Sequence, residues 1–149
     1  LAFALRADGW YLRQDIIWNK PNPMPESVRD RCTKSHEYVF LLSKNQNYYF
    51  DVDAIKEPTR RKRSVWNINK KAYKDAHFAV YPPELIIPCI KAGSEKNDII
   101  LDPFMGSGTT AMVAKELGRY YIGCELHEDY GNLIKNRVGE VRGDLKEFL

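Results

Sequence analysis

The segment Leu101-Asp102-Pro103-Phe104-Met105-Gly106-Ser107-Gly108-Thr109-Thr110 constrains this chain more than any other. Asn97 to Leu101 reads as a short buried strand that runs into a glycine turn. The turn opens an amphipathic helix from Thr109 to Leu117, which Gly118 ends. Tyr120 to Cys124 reads as the next strand and Glu128 to about Val138 as the next helix. Strand, helix, strand and helix in that order predict a βαβ unit with two parallel strands, and so an α/β fold.

Glycines at 106 and 108 permit positive φ and let a ligand lie against the backbone. Glu125 closes the following strand, at the spacing that sets a carboxylate beside a ligand's ribose hydroxyls. Gly106-Ser107-Gly108-Thr109-Thr110-Ala111 also matches GxGxxA, so a nicotinamide-dependent oxidoreductase is one reading. No Gly-Lys-Ser/Thr follows, which removes a phosphate-cradling P-loop. Asp102 weighs against a dinucleotide, because a carboxylate at the strand tip repels a pyrophosphate. It suits a cofactor with an ammonium and a sulfonium, S-adenosylmethionine. Ser107 and Thr109 read as helix caps whose backbone N–H groups also face the ligand.

The first half is organised differently. Leu1 to Ala7 ends an amphipathic helix, with Asp8-Gly9 as its stop. Tyr11 to Trp18 and His36 to Ser43 read as an antiparallel strand pair, and Asn47 to Phe50 as a short third strand. Pro21, Pro23 and Pro25 make the intervening loop rigid and extended. Trp18, Tyr38 and Phe40 are expected in the core. Between Lys56 and Lys74 stand eight Lys or Arg and one acid, Glu57. With no clean period, this segment is expected to be a basic loop. Arg60, Arg61, Lys62, Arg63, Lys70 and Lys71, with Trp66 and Tyr73 interleaved, are candidate DNA contacts: cations for phosphates and rings for bases. Arg29, Arg31 and Lys34 are weaker candidates. Lys20 and Met24 to Ser27 carry no assigned role.

Composition limits the rest. A net charge of +3 with 44% hydrophobic residues fits one globular domain, not a disordered chain. The longest apolar run is too short to span a membrane. Three widely spaced cysteines (Cys32, Cys89, Cys124) are expected to be reduced and buried, and three dispersed histidines offer no metal site. A cytoplasmic protein is the expectation.

DPFMGSGTT followed by Glu125 resembles the cofactor motif of S-adenosylmethionine-dependent DNA amino-methyltransferases, which act on N6 of adenine or N4 of cytosine. Three further blocks are similar to that family: WNKPNPMPES (Trp18 to Ser27), HEYVFLLSK (His36 to Lys44) and HFAVYP (His77 to Pro82). Their order resembles the permuted class in which the catalytic motif comes first. The resemblance implies a Rossmann-like methyltransferase fold, with a mostly parallel sheet and an antiparallel strand pair, incomplete in this chain. It implies three regions: 1–55 with the antiparallel strands, a DNA-contacting 56–76, and a cofactor-binding 77–149. It assigns cofactor contacts to Asp102, Pro103, Phe104, Gly106, Ser107, Gly108, Thr109 and Glu125, and to His77 and Phe78 over the methionine end. Double-stranded DNA is the implied partner, and a restriction endonuclease is admitted as a second. Neither a metal nor a membrane is implied.

The family's Asp/Asn/Ser-Pro-Pro-aromatic motif does not occur in the 149 residues. Tyr81-Pro82-Pro83-Glu84 has the prolines with the wrong flanks. Together with the start on Leu1 this predicts a fragment, with the motif upstream and a sheet that exposes edges and apolar surface. A catalytically silent DNA- or cofactor-binding subunit is the alternative.

Overall fold

The computed structural model describes residues 1–70 and 80–139. Its first strands follow from branched and aromatic residues bounded by turn formers. β1 (Tyr11–Asn19) pairs antiparallel with β2 (His36–Ser43), from Tyr11 opposite Ser43 to Asn19 opposite His36, with an irregularity between Leu12 and Gln14. The short helix α1 (Ala2–Ala7) precedes β1 and ends where Gly9 takes a φ of 90°.

A strand that sequence patterning missed lies on the other side of β1. β3 (Val65–Asn67) runs parallel to it, so the sheet order is β2-β1-β3. Three residues are too few to show a period, and their partner is far away in the chain. Trp18 and Trp66 stand opposite each other in this ladder, each 5% exposed. Their indole N–H groups donate to Ile68 O (2.8 Å) and Arg63 O (2.7 Å). Both rings are therefore buried with their polar atoms satisfied. Trp66 belongs to the core, and is not a platform for a base.

Residues 47–50 form no strand. Arg13 donates to Ser43 Oγ and Asn45 O and also binds Gln46 O, while its guanidinium lies 4.8 Å from the Tyr48 ring centroid. Asp51 N–H then donates to Ala92 O. Side-chain and helix partners thus take the place of a ladder here. Tyr38 is 53% exposed, not core: it meets His36 edge-on (5.3 Å) and stacks on Phe40 (5.9 Å) along one face of β2. Cys32 and Cys124 are exposed and Cys89 is partly buried, against the expectation that all three are buried.

α2 (Pro83–Gly93) has Pro83 at its first position and contains Pro88. β4 (Ile99–Asp102) and β5 (Tyr120–Gly123) form the parallel pair, with Asp102 opposite Gly123. Between them α3 (Thr109–Glu116) buries Thr109, Thr110, Ala111, Val113 and Ala114. α4 (Glu128–Val138) closes the βαβα order and adds Val138 and Ile134 to a core with Met105 and Ala111. β4 is not a buried strand: Ile99 is 45% and Leu101 65% exposed. Among the described residues its only ladder partner is β5. The described residues form two compact units, 1–70 with 87–94 and 80–86 with 95–139. Among them no helix is long and apolar enough to cross a membrane.

Candidate functional site

Parallel strands release their chains on the same side, and here that side carries both acids. The ladder continues past the strands: Cys124 N–H donates to Asp102 O (3.0 Å) and Met105 N–H to Cys124 O (2.9 Å). Met105 fills the space that a Cβ at Gly123 would need. Asp102 and Glu125 are thereby carried on one backbone frame, with the glycine turn between them.

The turn depends on its glycines. Gly106 and Gly108 have φ of 53° and 83°, a region that side chains rarely adopt. Gly108 is the N-cap of α3, and no side chain caps the helix. The capping expected from Ser107 and Thr109 is replaced by a longer-range contact. Arg137 Nη1 donates to Ser107 Oγ (2.8 Å), Ser107 O (3.2 Å) and Thr109 Oγ1 (3.1 Å). Ser107 and Thr109 are 3% and 1% exposed, so this guanidinium satisfies hydroxyls that water does not reach.

Each acid is held by named donors. Asp102 Oδ1 accepts from Phe104 N–H (3.0 Å), and Oδ2 from the Thr110 hydroxyl (2.5 Å), with Tyr81 Oη 3.3 Å from the same oxygen. Glu125 Oε1 accepts from His127 N–H (2.9 Å) and Oε2 from Gly106 N–H (2.7 Å). The His127 amide foremost, and the Gly106 amide after it, hold the Glu125 carboxyl below its ordinary range against the opposing effect of desolvation. Gly108 N–H donates to Met105 O (3.0 Å). Two amides that a pyrophosphate would need are thus already engaged by protein acceptors. Phe104 (87% exposed) and Leu126 (93%) stand beside the two acids as open apolar side chains, and Pro103 is exposed.

Of the residues singled out in the sequence, the structure brings together Asp102, Pro103, Phe104, Gly106, Ser107, Gly108, Thr109 and Glu125. His77, Phe78, Lys71 and Tyr73 lie outside the described residues. Tyr81, Thr110 and Arg137 join the site without having been singled out. Tyr81 and Thr110 lie inside the family-like blocks, but Arg137 had no local signal.

The basic segment lies in the other unit. Arg60 Nε pairs with Glu57 Oε2 at 2.5 Å, and this bond above all lowers the Glu57 pKa. Lys62 Nζ lies 5.0 Å from the Trp66 ring centroid. Arg61 and Arg63 are exposed and, among the described residues, form no salt bridge, although the Arg63 charge also helps to lower the Glu57 pKa. They rim, with Lys62, an apolar cavity of about 410 Å³ walled by Ile16, Val39, Phe50 and Cys89. Burial pushes the Cys89 thiol up to about 11. Asn22 anchors Lys70 by a reciprocal pair: its Oδ1 accepts from Lys70 N–H (2.9 Å) and its Nδ2 donates to Lys70 O (3.2 Å). Lys20 is 7% exposed, pairs with Glu37 and lies 4.5 Å from the Trp18 centroid, which makes it a structural cation.

Known proteins are similar to this chain in sequence and in fold. The type II methyltransferase M.SmaI of Serratia marcescens is 55% identical over 145 residues, covering 93% of this chain and 50% of that protein. M.HinfI of Haemophilus influenzae is 37% identical over 148 residues, covering 91% and 41%. The chain thus spans half or less of the length of these relatives. The crystal structure of the M1.HpyAVI–SAM complex matches with a TM-score of 0.72 at 31% identity, over 91% of this chain and 66% of that one. PvuII DNA methyltransferase (cytosine-N4-specific) shares the fold with a TM-score of 0.80 at 20% identity, over 99% and 60%. A family model described as DNA methylase matches residues 1–136, and with that the chain belongs to the DNA methylase family.

Proposed function

We propose that this protein methylates the exocyclic amine of adenine or cytosine in DNA, with S-adenosylmethionine as donor. The observation that carries the reading is the pair of carboxylates at the end of one ladder, Asp102 in its last pair and Glu125 just beyond β5, with the glycine turn between them. Acceptor-only groups at both strand tips fit a ligand with an ammonium at one end and ribose hydroxyls at the other. The engaged amides of Gly106 and Gly108 fit a pyrophosphate poorly.

In this reading Asp102 accepts from the ammonium, and Glu125 keeps lone pairs for the ribose hydroxyls while its amide bonds hold it in place. Gly106 and Gly108 let the ligand approach the backbone, and Phe104 offers it an apolar surface. His77 and Phe78 are assigned to the methionine end by the family resemblance alone. Bound S-adenosylmethionine supplies an electrophilic methyl group on a sulfonium. No residue of this chain is assigned to the target amine.

The proposed DNA contacts are Arg60, Arg61, Lys62, Arg63, Lys70 and Lys71, where cations attract phosphates by counterion release. The exposed Arg61 and Arg63 support this most directly. A DNA substrate implies a cytoplasmic protein. The type II naming of its relatives supports a restriction endonuclease as companion.

The test is calorimetric binding of S-adenosylhomocysteine to the full-length protein. Asp102→Ala and Glu125→Ala are each expected to weaken it about tenfold or more, the loss of a charge-assisted hydrogen bond. Affinity unchanged in both variants overturns the reading.

A further inference from the structure

We propose that Tyr81 is a positioning residue for Asp102, acting through Thr110, and thereby sets how selectively the site holds the cationic amino-acid end of its ligand. The proposal rests on the reading that Asp102 faces that end.

Three oxygens meet at the tip of β4. Thr110 Oγ1 lies 2.5 Å from Asp102 Oδ2, Tyr81 Oη lies 3.3 Å from the same Oδ2, and Tyr81 Oη contacts Thr110 Oγ1 directly. A hydroxyl has one proton to give. The short bond to an acceptor-only carboxylate takes that of Thr110. The Thr110 oxygen is then an acceptor, and the closer contact directs the Tyr81 proton to it. The chain therefore runs from Tyr81 to Thr110 to Asp102, each bond polarising the next. Burial, and also the neighbouring Asp102 charge, push the Tyr81 pKa up, so the phenol stays a donor at neutral pH.

This chain fixes one oxygen of the carboxylate and the Phe104 amide fixes the other. A carboxylate has about four lone-pair sites, so these donors leave room for an incoming cation in a set direction. Thr110 is 4% exposed on the first turn of α3, and Tyr81 precedes α2 by two residues. The phenol thus ties the segment entering α2 to the acid at the strand tip. None of this requires Tyr81 to touch the ligand.

The discriminating probes are S-adenosylhomocysteine and 5′-methylthioadenosine, which share the nucleoside and thioether but differ in the amino-acid end. In the full-length protein, Tyr81→Phe removes one hydroxyl and leaves the ring. Calorimetry is expected to show S-adenosylhomocysteine weakened about 5- to 10-fold, a hydrogen bond's worth, with 5′-methylthioadenosine unchanged. Thr110→Val should reproduce the selective weakening, Thr110→Ser should restore wild-type affinity, and Tyr81→Phe added to Thr110→Val should change little further. An equal shift for both ligands, no shift, or additive effects in the double variant overturns the proposal alone. A wild-type protein that binds neither probe overturns the cofactor reading and the proposal with it.

Discussion

Glu125 engages both of its oxygens with backbone amides, and the consequence is a pH dependence of known sign. The bonds from His127 N–H and Gly106 N–H favour the charged form, so the folded pKa lies below the ordinary 4.5. A depressed carboxyl pKa contributes stability above the unfolded value, and that stability is lost as the pH falls through the folded value. Stability measured in urea is therefore expected to fall below pH 4.5, partly through this group, and Glu125→Gln should flatten that acid limb. An identical limb in the variant would show that the amide bonds contribute nothing. Asp102 and Glu125 were legible in the sequence because strand tips and turn follow from a short apolar run, two glycines and a second run. Arg137 was not: its bonds to Ser107 and Thr109 cross 30 and 28 residues. They depend on how α4 is rotated, which no local pattern records.

Two glycines at helices of the second unit have opposite prospects. At Gly108, with φ at 83°, an added Cβ would lie 3.2 Å from Ile134 Cγ1 and 3.4 Å from the Ile134 Cα. The left-handed region alone costs an alanine about 1–2 kcal/mol. Gly108→Ala is expected to destabilise by at least that much. Gly131 lies inside α4, where an added Cβ would meet nothing within 4 Å and φ is not positive. Gly131→Ala should stabilise by roughly 0.5–1 kcal/mol, the helix-interior difference between the two residues. Thermal unfolding of both variants in the full-length protein measures the contrast, and equal shifts would contradict it. Element boundaries in the glycine-turn region came close to their sequence expectation because glycine breaks and apolar periodicity are local signals. β3 escaped because a three-residue parallel strand exists only through β1, and 47–50 misled because aromatic residues there answer to Arg13 rather than to a ladder.

At the scale of the whole molecule the chain carries a modest charge of +3, and its distribution matters more than the sum. Arg60 is tied to Glu57 and Lys62 rests on Trp66, which leaves Arg61 and Arg63 as the freest cations of the run among the described residues. Replacing both by glutamate in the full-length protein should weaken DNA binding about equally on all sequences. It should also reduce the slope of log affinity against log salt by about 0.9 for each phosphate that is no longer neutralised. A slope that does not move would detach the run from DNA. That the charge would be concentrated here was legible in composition. That Trp66 is core rather than platform was not, because burial is decided by β1 and not by neighbours in sequence.

The extended β4–β5 ladder has one more consequence. Main-chain bonds between Asp102, Cys124 and Met105 set the span between the two acids, and side chains along the strands have no part in those bonds. Replacements at Ile100 or Tyr121 should therefore alter how firmly the domain holds together while leaving its ligand preference intact. Evolution can remodel the upholstery of such a seat without changing its width.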